Sequence, residues 1–316
     1  MKHLERALDG QNQFWKYLLN FVAGFAASNI IGAIPLISVM AYKTATSGGS
    51  ITPNSHNAMD LTVYGISQNQ SFILLMIPFI LAFITTIILF KPFHKRLVSE
   101  VINGTKQIRW KRYFMGMGVW LIICLLYLGI DYALNSTNYK LQFDAAKFIP
   151  LVLLSLLFIP IQTAYEELLF RGYFTQGIAA WTKNRWTAII IPALLFGLMH
   201  SFNPEVKEYG FWVVMPQYVI FGLLFGLMTI LDDGIELAMG AHAANNIFSC
   251  LFVTNAASAL QTPAVFNQLN INPNKETLML TIMGILFIII FSRLYKWNFA
   301  VLNKKVEMEI PKIMEE

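Results

Sequence analysis

The sequence predicts an all-α, polytopic membrane protein of about eight transmembrane helices. Three observations predict it. Charged residues make up 13% of the 316-residue chain and hydrophobic ones 56%, whereas soluble domains carry about 25% charged residues. The mean hydropathy is +0.54, and the apolar residues gather into runs long enough to cross a bilayer as helices, which takes about 20 residues. The basic residues fall in alternate loops, as a topology signal requires.

The N-terminus carries Lys2, Arg6 and Lys16 around the start of a first span over 14–42. That run is too long for a signal-peptide core and lacks a small-residue cleavage site, so it reads as a retained helix. The loop 44–70 is polar, rich in Ser, Asn and Gly, and external, with no role assigned. Further spans follow at 71–90, 113–133, 148–170 with a helical continuation, 186–200, 211–231, 235–253 and 278–295. With eight spans, the bases at Lys91, Lys95, Arg96, Lys106, Arg109, Lys111 and Arg112 share one side with the N-terminus. So do Lys183 and Arg185, and Lys296, Lys304, Lys305 and Lys312 in the tail. The positive-inside rule then places both termini in the cytoplasm, and a bacterial inner membrane is the expected location. Trp15, Trp110, Trp186 and Trp297 stand at span ends, where interfacial anchors belong. Cys124 and Cys250 lie inside apolar runs and offer neither a disulfide framework nor metal spacing. The net charge of +5 belongs to the loops and marks no nucleic-acid surface. No repeat or second soluble domain interrupts a single membrane domain over 1–316.

Three polar sites break the apolar core. The first is Tyr165-Glu166-Glu167-Leu168-Leu169-Phe170-Arg171. A charge near the bilayer centre costs at least ~2.5–3.5 kcal/mol on insertion scales, so adjacent carboxylates must be paired or useful. Glu167 and Arg171 are four apart with the acid N-terminal, the better orientation for a helical ion pair. That leaves Glu166 for chemistry. The second site is His200, ending Phe196-Gly197-Leu198-Met199-His200. The third is His242-Ala243-Ala244-Asn245-Asn246, in which His242 and Asn246 share a helix face and Asn245 points away.

A hairpin brings the first two together. If the Glu166 helix runs on to Trp181 and turns at Lys183-Asn184-Arg185, Glu166 and His200 each lie 17 residues from Lys183. Both then sit ~25 Å from the turn, side by side. His242 lies 9 residues past Asp233, so it joins them if the first hairpin projects about 12 Å beyond the second.

A carboxylate, two imidazoles and an amide suit amide hydrolysis. Glu166 is expected as general base toward water, with an imidazole holding that water and Asn246 donating to the oxyanion. A second scheme sets zinc on Glu166, His200 and His242 with water in the fourth position, an accepted catalytic ligand set. The His-Glu-x-x-His motif is absent, so spacing leaves the metal open. Taken singly, the same residues read more plainly. Glu167–Arg171 is then a structural ion pair and each histidine an interhelical hydrogen-bonding residue. Phe196 packs, Asp131 is solvated, Asp232-Asp233 is a turn and helix start, Gly222 and Gly226 mark close helix packing, and the tail 304–316 is a solvated end.

Taken together, Glu166-Glu167-x-x-x-Arg171, Phe196-x-x-x-His200 and His242-x-x-x-Asn246 resemble, in order and separation, the CPBP family of intramembrane proteases. These are the CAAX prenyl endopeptidases and the Abi-type bacterial relatives linked to bacteriocin processing and self-immunity. The resemblance covers roughly 148–253, the expected catalytic core. It implies a conical active-site cleft open to the cytoplasmic side, with Glu166 as the catalytic glutamate. Glu167 and Arg171 would support it, and His200, His242 and Asn246 would complete the site. The family has been described both as metalloprotease and as glutamate-dependent protease. A peptide or protein substrate and membrane lipid are the implied partners, with no nucleic acid. Two other classes compete: a non-catalytic scaffold or immunity factor holding a peptide in the same pocket, and a transporter using Glu166 as a proton site. Against the transporter stands the lack of paired repeats.

Overall fold

The structure is a computed structural model that describes residues 2–47 and 59–308. His56, much of the 44–70 loop, and the tail beyond 308 with Lys312 lie outside the described residues. The chain forms α1 (Phe14–Ala26), α2 (Ile34–Thr46), α3 (Gln68–His94), α4 (Val98–Asn103), α5 (Trp110–Leu134) and α6 (Ala145–Glu167). It continues as α7 (Thr175–Thr182), α8 (Arg185–Met199), α9 (Pro204–Tyr209), α10 (Phe211–Asp232), α11 (Glu236–Phe252) and α12 (Pro273–Tyr295). Wide π turns over Ala27–Ile31 and Leu168–Phe174 lead from α1 toward α2 and join α6 to α7. Helix ends follow local chemistry. Ser67 and Gln70 form a reciprocal capping box ahead of α3. Asn184 caps α8 and Asn272 caps α12. Lys95, Lys183, Asp233 and Lys296 adopt left-handed backbone and stop α3, α7, α10 and α12.

Every run read as a span is helical. Among the described residues, six stretches are long and apolar enough to cross a membrane: Phe14–Thr46, Gln68–His94, Trp110–Leu134, Ala145–Thr182, Phe211–Asp232 and Pro273–Tyr295. The other two, α8 and α11, have 15 and 17 residues. At 1.5 Å per residue they reach roughly 22 and 26 Å, short of a ~30 Å hydrocarbon core. α11 is the most enclosed, with Leu237, Ala238, Ala241, Ala243 and Ala244 all buried.

Glycines set the closest approaches. A Cβ on Gly116 of α5 would lie 2.4 Å from the Leu237 carbonyl, and one on Gly240 of α11 would lie 2.0 Å from the Tyr113 carbonyl. Neither backbone has room to yield. Gly240→Ala is expected to lower stability by about 1–3 kcal/mol through overpacking, read as unfolding of the purified protein in detergent; an unchanged transition would contradict this contact. Gly222 and Gly226 seat α10 on α8, where a Cβ would come within 2.8 Å of Ala193 and 3.1 Å of Ile189. The small-residue face is thus filled within the chain.

That seating corrects the expected stagger. With Gly222 on Ala193 and Gly226 on Ile189, the Lys183 and Asp233 turns end nearly level, not about 12 Å apart. The expectation treated α11 as the antiparallel partner of α10. Instead α11 packs chiefly on α5 and only lightly on α10, so distance along its axis does not measure depth along α10.

The two described ends of the chain meet at these turns. The Asp233 carboxylate accepts from the backbone N–H groups of Lys2 and His3, each at 2.9 Å. Arg185 pairs with Glu5, and the Lys183 carbonyl accepts from the Val306 N–H at 3.0 Å. Asp232 is buried against Arg109 at 3.4 Å and Arg112 at 3.5 Å. Asp232-Asp233 therefore stops α10 and docks the N-terminus; it does not start α11. The tail is likewise docked at its start, since Leu302 and Val306 are buried. At the opposite end a small sheet, absent from the sequence reading, ties two loops together. β1 (Tyr139–Leu141) runs antiparallel to β3 (Phe266–Gln268), which pairs in parallel with β2 (Val253–Thr254). Asp131 is buried there and not solvated: it accepts from Tyr139 Oη at 2.5 Å and Asn135 at 3.0 Å and pairs with Lys275.

Candidate active site

Helix α6 is two-faced. Leu153, Leu156 and Leu157 are exposed, while Ser155, Ile159, Gln162, Thr163 and Glu166 turn inward. Both glutamates are enclosed, Glu166 at 8% and Glu167 at 0% exposure. The π turn then keeps Arg171 beneath them: its Nη1 lies 2.8 Å from Glu167 Oε1. The guanidinium rests over Phe196 at 4.2 Å and Phe225 at 5.5 Å from the ring centroids, a cation–π arrangement. π turns inside helices are frequent at functional sites, and here the surroundings support the wide turn. Thr175 Oγ1 donates to the Phe170 carbonyl at 2.9 Å, and His3 Nε2 donates to the Arg171 carbonyl at 3.2 Å.

The His3 contact gives this dock a pH dependence. Burial pushes the His3 imidazole down to about 4, with the Asp233 carboxylate and the Arg171 carbonyl offsetting it only in part. An undocked histidine titrates near 6.5, so the undocked state takes up a proton first and docking weakens as pH falls from about 6.5 to about 4. Protection factors for amide exchange of residues 2–9, taken relative to the intrinsic rate at each pH, should be lower at pH 4.5 than at pH 7, and less pH-dependent in His3→Gln. Equal protection of wild type at both values would rule this out.

α11 supplies the central imidazole. His242 Nδ1 lies 2.7 Å from Glu167 Oε1. An ionised carboxylate only accepts, so Nδ1 carries a proton, and in the neutral ring Nε2 presents its lone pair. Nε2 stands 3.6 Å from Glu166 Oε2, beyond hydrogen-bond length. Arg171, Glu167 and His242 form one orienting series that ends at Glu166. The other Glu166 oxygen, Oε1, accepts from Gln162 Nε2 at 2.6 Å. Gln162 Oε1 accepts from Asn246 at 3.1 Å, Asn246 Oδ1 from Asn245 at 3.1 Å, and Asn245 Oδ1 from Trp120 Nε1 at 3.3 Å.

His200 completes the group at the C-terminal end of α8. Its Nδ1 donates to the Phe196 carbonyl at 2.7 Å, which in the neutral imidazole leaves Nε2 as the acceptor. The ring stacks on Tyr218 with centroids 4.2 Å apart and interacts electrostatically with both Glu166 and His242. Tyr218 donates to Glu205 and accepts from Asn203. His200, Asn245 and Asn246 are half-exposed and form the accessible side of the cluster.

Of the residues singled out from sequence, Glu166, Glu167, Arg171, His242 and Asn246 are joined by ion pairs and by hydrogen bonds through Gln162, and His200 lies within electrostatic reach of Glu166 and His242. Gln162 was missed, although it stands at i−4 from Glu166, the same spacing that flagged Glu167 with Arg171. Asn245 was set aside by helical angle, yet it links Trp120 to Asn246. Tyr218 gave no signal, being one aromatic in an aromatic-rich run. The zinc set expected on Glu166, His200 and His242 remains a proposal. Glu166 and His242 approach each other, but among the described residues no three His, Cys, Asp or Glu side chains converge as metal ligands. The carboxylate and imidazoles of this arrangement can hold and move a proton between them.

Comparison with known proteins points to the same segment. The chain is 28% identical to the uncharacterized protein YyaK of Bacillus subtilis (strain 168), a similarity spanning 91% of this chain and 94% of that protein. No solved structure matches it. Residues 145–248, which carry all six residues and Gln162, match the type II CAAX prenyl endopeptidase Rce1-like family. It is to this family that the core of the chain, over those residues, is similar.

Proposed function

We propose that the chain is an intramembrane endopeptidase that hydrolyses peptide bonds with Glu166 as general base. The observation that carries this reading is the placement of Glu166: one oxygen is tied to Gln162, and the other faces an imidazole held by Glu167 and Arg171. A water against Oε2 gives that oxygen a proton as its own oxygen bonds to the substrate carbonyl carbon. The carbonyl π electrons move onto oxygen. Asn246 retains one amide proton after its bond to Gln162 and donates it to the oxyanion. His200 Nε2 accepts a hydrogen bond from the same water. On collapse the C–N bond breaks, the proton passes from Glu166 to the leaving nitrogen, and the products are an amine and a carboxylic acid. His242 supports the exchange because Glu167 offsets positive charge on its ring, and Arg171 balances Glu167 in its absence.

The basic end at the Lys183 and Asp233 turns, where both described chain ends meet, faces the cytoplasm by the positive-inside rule. The substrate is a peptide or protein segment, and likeness to CAAX prenyl endopeptidases favours a C-terminal tail bearing a prenylated cysteine. The test uses the purified full chain in liposomes with two quenched fluorescent peptides, one ending in a farnesylated Cys-aliphatic-aliphatic-X tail and its unprenylated twin. Cleavage is expected in EDTA as well as without it. EDTA inhibition reversed by zinc would overturn the metal-free scheme. Failure to cut either probe or a broad peptide library would overturn the peptidase reading.

A further inference from the structure

We propose that Gln162 is a positioning residue that fixes which oxygen of Glu166 does the chemistry. The inference rests on the reading of Glu166 as general base and goes beyond it. A carboxylate has two equivalent oxygens, and its terminal torsion is broad. Left alone, it would present either oxygen to water in many orientations. The Gln162 Nε2–Oε1 bond of 2.6 Å is a short, charge-assisted contact within one buried helix face. It commits Oε1 and leaves Oε2 as the reacting oxygen.

That commitment holds only if Gln162 keeps its amide the right way round. Flipped, it would present an oxygen to a carboxylate. The rest of the chain of bonds prevents the flip. Gln162 Oε1 is occupied by a proton from Asn246, Asn246 Oδ1 by one from Asn245, and Asn245 Oδ1 by one from Trp120. Each amide could read either way in isolation. An indole N–H could not: it donates and never accepts. Trp120 is fully buried, with Phe221, Phe225 and Phe287 edge-on within 6.4 Å. One donor-only group on α5 therefore sets the polarity of three amides on α11 and α6 and delivers an N–H, not an oxygen, to Glu166.

The competing account is that these amides only glue helices together. Steady-state kinetics on the farnesylated probe separate the two. Gln162→Leu removes the donor at similar size and should lower kcat about 10–10²-fold, the cost of misorienting a reacting group, with KM and the unfolding transition unchanged. In a Glu166→Gln background the same change should cost nothing further, because no carboxylate remains to be oriented. If Gln162→Leu does not fold, Gln162→Met carries the test: it keeps an unbranched chain of similar length but has no donor, and kcat should fall likewise. Wild-type kcat in the variant that folds would overturn the proposal. So would a loss that appears in KM and unfolding together, or one that persists undiminished in the Glu166→Gln background. Full activity of Glu166→Gln by itself would instead overturn the general-base reading, a distinct result.

Discussion

Replacing Glu166 with glutamine should leave a folded protein whose turnover on the farnesylated probe has fallen by about 10²–10⁴-fold, the usual worth of a positioned general base. At 1.36 kcal/mol per decade this is roughly 2.7–5.4 kcal/mol of barrier. The fold should survive because the change is nearly isosteric and removes a charge from a site only 8% exposed. A neutral amide is cheaper than a carboxylate to hold at membrane depth. The new carbonyl still accepts from Gln162, and the new NH₂ meets the His242 Nε2 lone pair that the carboxylate faced at 3.6 Å. The pocket keeps its shape and loses its proton acceptor. The measurement is kcat/KM beside an unfolding transition on the same preparation. Undiminished cleavage would remove Glu166 from the mechanism. A collapse of the unfolding transition would show that the residue is structural.

The parts of this site legible in the sequence are those that depend on a single helix or a single tight turn. The Glu167–Arg171 pair follows from i,i+4 spacing, and the structure has it at 2.8 Å. The approach of His200 to Glu166 follows from counting outward from Lys183, because the turn is short and both arms are helical. What escaped depends on how separate helices cross. The depth of His242 could not come from counting past Asp233, because α11 leans on α5 through Gly116 and Gly240. Asn245 points away from Asn246 by helical angle, yet its neighbour on that side is Trp120 of another helix. Asp131 and Asp232 stand at span ends, where solvent is the default partner. Their cations arrive from elsewhere in the chain, Lys275 for one and Arg109 with Arg112 for the other. Strands of two and three residues carry no periodicity to read.

Arg171→Met is expected to produce the largest loss of stability of any single change near the site, about 3–5 kcal/mol, the cost of breaking a buried pair from one side. Both partners are enclosed, at 1% and 0% side-chain exposure, so solvent cannot take over the abandoned charge. Glu167 Oε2 already has no hydrogen-bond partner among the described residues. Without Arg171, its carboxylate would keep only the His242 bond at 2.7 Å. Methionine fills the space against Phe196 and Phe225, so the deficit is electrostatic and not a cavity. This sets the control. Glu167→Gln added to Arg171→Met removes the stranded charge, and the double variant should be more stable than Arg171→Met alone, by denaturant unfolding in detergent. If the two losses simply add, the pair contributes nothing through its charges and the penalty belongs to packing. Activity should not follow stability back. With glutamine at 167, His242 has no carboxylate to balance a proton on its ring, so the refolded double variant should still turn over slowly. Stability recovered without turnover would place the role of Glu167 in balancing a proton taken up by the His242 ring during turnover.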